Sequence, residues 1–354
     1  MESKRLDFLD IAKGIGIIFV LYSHSCGFPV FGNAVTAFYM PLFFFISGYV
    51  YKTGRPAGEN IKRKLKQLLI PYVGFTLLLY AEHIFMAIIK HELTRENIIM
   101  PLLGAIYSRG ALYAEFSRND TFFFLISNNP MWFITAMAVS CVIFYLLVEN
   151  FLANKKKRII ITVLLTGITI GFSYCPYLLP WSIDTAFAGA LFMLLGAFLG
   201  QMSYYSDENK SRFSPVFVIL AGLVYCVLTE IAKPINMSIR DYGYGGIVGA
   251  MWFLMAALTG TIIFLWICRY IEKFKFTGVF SMVGKHTYTI MALHFILIKY
   301  LEKSYYLFHM TFEYSRESLL YWVYWTVIFV AVTGLCILFD YVLGFVKSKL
   351  LKGK

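Results

Sequence analysis

The chain has 354 residues, of which 59% are hydrophobic and 15% charged, with a mean hydropathy of +0.68. A soluble domain of that composition would not stay dispersed, so the bilayer is the solvent and a water-soluble enzyme is excluded. The formal net charge of +12 does not call for nucleic acid, because the basic residues fall in a membrane pattern.

Apolar stretches of roughly 20 residues, the length that crosses a bilayer, recur from end to end. In chain order they cover about 11–29, 34–52, 67–90, 131–152, 158–176, 184–202, 213–234, 246–270, 281–302 and 318–346, ten in all. They are continuous rather than alternating, and lipid leaves no partner for an unpaired backbone group, so spanning helices are expected and a barrel is not. The expectation is an all-α polytopic helix bundle, one membrane domain over 1–354 with no appended soluble domain. Leu102 to Tyr107, inside the longest loop, reads either as loop or as a shallow re-entrant piece.

Placing both termini in the cytoplasm puts 23 of the 32 Lys and Arg on the inner side, in clusters such as Lys52–Lys66, Lys155–Arg158, Arg269–Lys285 and Lys347–Lys354. That asymmetry sets the orientation. The opening MESKRLDFLD carries two acids and no small-residue cleavage site, so it is not read as a removable signal. Six cysteines stand singly in apolar segments, which indicates buried small hydrophobes and neither a metal site nor a disulfide framework.

Ionisable groups inside spans are costly and become the functional candidates. The first span is richest, with Asp10, Lys13, Tyr22, Ser23, His24 and Ser25. Lys13 and His24, eleven residues apart, lie within about 20° of one helix face and about 16 Å apart along its axis. Asp10 is one turn from Lys13 and placed to pair with it. The second span holds Pro41, Ser47, Gly48 and Tyr49, a broken helix of the kind tolerated beside a cavity. Arg63 and Lys66, one turn apart at the inner face, make a seat for phosphates. Trp132 opens the fourth span where an interfacial Trp is expected, and His294 sits deep in the ninth. The outer loop, about 91–130, carries Arg109, Glu115, Arg118 and Asp120 and is assigned to acceptor recognition.

The run from Arg5 through Asp10 and Lys13 to Ser23-His24-Ser25, followed by Met-Pro-Leu-Phe-Phe-Phe-Ile-Ser-Gly-Tyr at 40–49, resembles the acyltransferase-3 family of ten-span membrane acyltransferases. Within it the closest likeness is to the fucose 4-O-acetylase-like sugar O-acetyltransferases, over 5–345. The resemblance implies acyl-CoA, most simply acetyl-CoA, as donor and no tightly bound cofactor. It implies His24 as the catalytic histidine, with Lys13, Arg63 and Lys66 at the donor phosphates. Lysine stands at 13 and 66 where the family often has arginine, which keeps the charge but loses the bidentate grip.

His24 is then expected to act as general base or as acyl-carrying nucleophile. Asp10 would orient Lys13 or Arg5, His294 would approach the site, and Ser47, Tyr49 and Trp132 would face the substrate. The expected acceptor is a sugar or envelope glycan hydroxyl at the outer side of a bacterial cytoplasmic (inner) membrane. Membrane lipid is the surrounding partner, and a homo-oligomer is compatible with the sequence. A glycan or lipid-linked-intermediate transporter or flippase would suit ten helices equally well. The absence of visible inverted repeats and the crowding of polar residues into the first three spans argue against it.

Overall fold

A computed structural model describes residues 7–28, 30–109, 128, 130–206, 209, 213–307 and 319–352. These residues form twelve helices and no strand, as expected for an all-α membrane helix bundle. In chain order they are α1 (Asp7–His24), α2 (Gly32–Tyr49), α3 (Ala57–Ile89), α4 (Arg95–Tyr107), α5 (Trp132–Ala153) and α6 (Lys155–Ser173). Then follow α7 (Ile183–Gln201), α8 (Pro215–Ile231), α9 (Gly246–Ile271), α10 (Gly278–Lys285), α11 (Thr287–Leu307) and α12 (Leu319–Lys352).

A helix stands at each of the ten expected spans. On length and apolar composition alone, five segments qualify as bilayer-crossing: Ala57–Ile89, Trp132–Ala153, Pro180–Gln201, Gly246–Ile271 and Leu319–Val346. The others are shorter or carry polar groups, as α1 does with Asp7, Asp10 and Lys13. Two boundaries differ from the sequence reading. The third helix begins at Ala57 and takes in the basic cluster, because Lys, Arg and Glu are good helix formers once outside lipid. The ninth span is broken: α10 ends at Lys285, the His286 amide donates to the Val283 carbonyl at 3.0 Å, and α11 starts afresh at Thr287.

The open question at Leu102 to Tyr107 resolves as helix α4. Its N-cap Thr94 accepts from the Asn97 amide, and Ser108, with φ at 51°, ends it by donating its amide to Gly104. Its half-exposed face carries Ile98, Ile99, Leu102, Leu103 and Ile106. Ser214 caps α8 the same way, accepting from Phe217, with Pro215 in the first turn where its missing N–H costs nothing.

The chain divides into two compact units, residues 1–32 with 267–354 and residues 33–266. In the first, α1 packs on α10 backbone to backbone. A Cβ on Gly14 would run into the Phe280 carbonyl oxygen, and one on Gly284 into that of Asp10. Small residues at such crossings are what membrane helices use to approach closely. In the second unit, Gly48, Gly196 and Gly200 play the same part between α2 and α7, facing the carbonyls of Met193, Phe45 and Tyr49.

Candidate functional site

Helix α1 places two chemical groups at its two ends. Asp10 and Lys13 form the ion pair expected from their spacing, Nζ to Oδ1 at 2.6 Å, with the lysine 30% and the aspartate 7% exposed. At the other end the helix stops at His24. The Gly27 amide donates to the Tyr22 carbonyl at 2.8 Å, and Gly27 takes φ 68°, which turns the chain back and favours a residue without Cβ. Ser23 and Ser25 donate their hydroxyls to Val20 and Leu21 carbonyls, at 2.9 and 2.6 Å, so they satisfy the helix end itself.

His24 is exposed, and its ring centroid lies 5.4 Å from that of His294 on α11. Phe295 closes on His24 edge-on at 5.3 Å. His294 is fully buried, and its Nδ1 reaches the carbonyls of Met291 and Ile290 at 2.8 and 3.1 Å. Carbonyls only accept, so Nδ1 carries the proton and the imidazole is held in that tautomer. Its Nε2 is a bare lone pair without a hydrogen-bond partner among the described residues. An accessible imidazole thus stands beside a buried one of fixed tautomer.

The remaining expected residues lie in the second unit. Arg63 and Lys66 are exposed on α3, and neither makes an ion pair with a described residue, so both charges are open to a ligand. Arg63 and Lys64 act electrostatically on Tyr145 and Cys141 of α5, which places this basic turn along that helix. Ser47 is half-buried on α2. Tyr49 is buried against Tyr205 at 5.6 Å and Phe45 at 6.5 Å. Trp132 is buried as well, and its carbonyl accepts from the Thr135 hydroxyl at 2.9 Å; it is packed in protein rather than set in an interfacial belt. Arg5, Glu115, Arg118 and Asp120 lie outside the described residues.

Two charged constellations were missed by sequence reasoning. In the first unit, His286 Nδ1 meets Asp340 Oδ2 at 2.5 Å, and the Thr289 hydroxyl donates to Asp340 Oδ1 at 3.1 Å, clasping the start of α11 to α12. In the second, Arg109 and Arg240 both bind Asp184 Oδ2, the first at 2.9 Å, with all three side chains 0–1% exposed. Arg109 also donates to Thr185 Oγ1 at 2.9 Å. Arg240 donates to the carbonyls of Phe172, Cys175 and Tyr177 at the end of α6. The signal that would have found Asp184 and Asp340 is the one that singled out His24: an ionisable residue inside an apolar span.

Among the described residues no group of three His, Cys, Asp or Glu is placed to hold a metal ion, and the six cysteines are free. The first unit offers an accessible imidazole with a second imidazole beside it, which is chemistry for proton transfer; the second offers cations on α3 that make no ion pair with a described residue, which is chemistry for anion binding. No curated protein matches the sequence. The model of the acyltransferase-3 family, described as an acyltransferase domain, matches residues 6–341 and so takes in both units. The chain belongs to the acyltransferase-3 family and is a membrane acyltransferase.

Proposed function

We propose that this acyltransferase is an O-acyltransferase that takes acetyl from acetyl-CoA and places it on a hydroxyl of a sugar or cell-envelope glycan at the outer side of a bacterial inner membrane. The observation that carries the reading is the pairing of His24 with His294. On this reading Arg63 and Lys66 are the donor-phosphate residues of the second unit, and Lys13 is that of the first, at the start of the α1 face that leads to His24. The roughly 16 Å between Lys13 and His24 suits an extended thiol arm.

As general base, His24 takes the proton of the acceptor hydroxyl while that oxygen attacks the thioester carbonyl. The C–S bond breaks and the proton passes to the departing thiolate, so the products are the ester and free CoA. As nucleophile, a His24 ring nitrogen attacks the thioester carbonyl, the C–S bond breaks and CoA leaves as thiolate; the acceptor hydroxyl then attacks the acyl-imidazole, the N–acyl bond breaks and the hydroxyl proton passes to the thiolate, giving the same ester and free CoA. His294 serves both routes: its Nε2 lone pair accepts an N–H from His24 when the ring rotates toward it, which leaves the other His24 nitrogen basic. Asp10 acts through Lys13, being about 21 Å from His24 along the helix. Ser47, Tyr49 and Trp132 belong to the substrate side on this reading.

The experiment is transfer of labelled acetyl from acetyl-CoA by purified protein in proteoliposomes. Label appearing on glycan as an alkali-labile ester supports the proposal. A protein that moves glycan across the bilayer and transfers no label is a transporter.

A further inference from the structure

The cluster of Arg109, Asp184 and Arg240 has features that a purely structural ion pair does not need. Two guanidiniums share one carboxylate, and both use the same oxygen, Oδ2. Since arginine keeps its proton in proteins, the group carries a net charge of +1 with its side chains removed from solvent. Burying an uncompensated charge is among the most expensive arrangements available to a protein. Asp241, next to Arg240 in the chain, does not compensate it, because that carboxylate is exposed and accepts from the Gly243 amide at 3.0 Å.

Apart from Arg240 Nε, which makes the ion pair with Asp184, three buried polar atoms here have no hydrogen-bond partner among the described residues: Arg109 Nε, Asp184 Oδ1 and Ser182 Oγ. They form a mixed set. Arg109 Nε can only donate, and Asp184 Oδ1 can only accept, while a hydroxyl such as that of Ser182 does both. The complement is a molecule that presents an anionic oxygen to the arginine and a hydroxyl to the aspartate. Trp181 lies beside the set, 37% exposed, with its indole N–H tied to the Ile106 carbonyl at 2.8 Å, so a fixed aromatic surface adjoins the polar groups. The charge rule places the segments carrying all of these residues on the outer side.

We propose that Arg109, Asp184 and Ser182 form the acceptor-recognition site, and that the acceptor they select is an acidic sugar, bearing a carboxylate or a phosphate next to free hydroxyls. This inference rests on the reading of a glycan acceptor at the outer side, and it names the acceptor's class. The arginine takes the anionic group, and Asp184 Oδ1 and Ser182 take ring hydroxyls. Arg240, which also donates to the carbonyls of Phe172, Cys175 and Tyr177, holds Asp184 in place.

The test is calorimetric binding of glucuronate, glucose 1-phosphate and glucose to the purified full chain in detergent, with no acyl donor present. Saturable binding of at least one anion, about 10-fold tighter than glucose, is the expected result, since one charge-assisted contact is worth about that factor. Which anion binds tighter separates a sugar acid from a sugar phosphate. Arg109→Gln should bring the anions to the level of glucose. Ser182→Ala should weaken binding several-fold while leaving the melting temperature of the free protein unchanged, because it removes only an unpaired hydroxyl. Absence of saturable anion binding, equal binding of anions and glucose, or binding indifferent to both substitutions overturns the inference. Acetylation of a neutral glycan by a protein that binds no anion would overturn this inference alone. Anion binding without any acyl transfer would support the site and defeat the proposed reaction.

Discussion

Gly14 and Gly284 are the positions where a single methyl group should do the most damage to the first unit. Each faces a backbone carbonyl of the opposing helix, Phe280 for Gly14 and Asp10 for Gly284, and a Cβ on either would also approach the other glycine's amide nitrogen at 3.0 Å. A carbonyl cannot rotate away as a side chain can, so α1 and α10 must separate by roughly an ångström to restore van der Waals contact. Overpacking costs typically about 1–3 kcal/mol, and a clash with backbone belongs at the upper end. The two effects should not add. Once one alanine has parted the helices the second finds room, and the double variant should fall short of the sum by about 1–2 kcal/mol. His24 lies about 15 Å along α1 from Gly14, so the same displacement moves it relative to His294. Misplacement on that scale lowers turnover by on the order of 100-fold. The assay is the half-life of acyltransferase activity at elevated temperature, together with turnover at 25 °C, for both single variants and the double. Wild-type half-life and turnover in Gly14→Ala would refute the backbone contact.

Arg63→Ala should raise KM for acetyl-CoA about 10-fold, the loss of one charge-assisted contact, with kcat and acceptor KM little changed; steady-state kinetics varying each substrate separately check this. Asp340→Asn should weaken the clasp between His286, Thr289 and α12, lowering stability by about 1 kcal/mol, the scale of a part-exposed ion pair. A lower midpoint in thermal unfolding with unchanged turnover per folded molecule is the expected pattern. His294→Gln should leave acyl-CoA binding intact and lower kcat, as measured by single-turnover transfer.

Periodicity and charge made the helices legible, because both are local properties. The sequence sets the start of the third span at about 67, since hydropathy falls across the basic turn at 62–66, although the helix continues through that turn back to Ala57. The break at His286 carries no proline, and Gly284 two residues before it serves the α1 contact instead. Within the candidate site, the pairing of Asp10 with Lys13 was readable from an i,i+3 spacing. The approach of His24 to His294 was anticipated only as a burial argument, since no periodicity links residues 270 apart. Arg109 was read as a loop residue for acceptor contact. Its burial depends on Asp184 and Arg240, 75 and 131 positions away, and on the left-handed backbone at Ser108, Ser182 and Arg240. Such long-range pairings are decided by tertiary packing, where propensity and hydropathy carry no information.

The claim on which the account turns is that His24 performs the transfer. The direct measurement is acetyl transfer from labelled acetyl-CoA by purified His24→Ala protein, with acetyl-CoA binding measured on the same sample to show that the fold and donor site persist. The account predicts donor affinity within a few-fold of wild type and transfer reduced by at least about 100-fold, the scale of a lost general base. Near-normal turnover in a folded, donor-binding His24→Ala protein would contradict it.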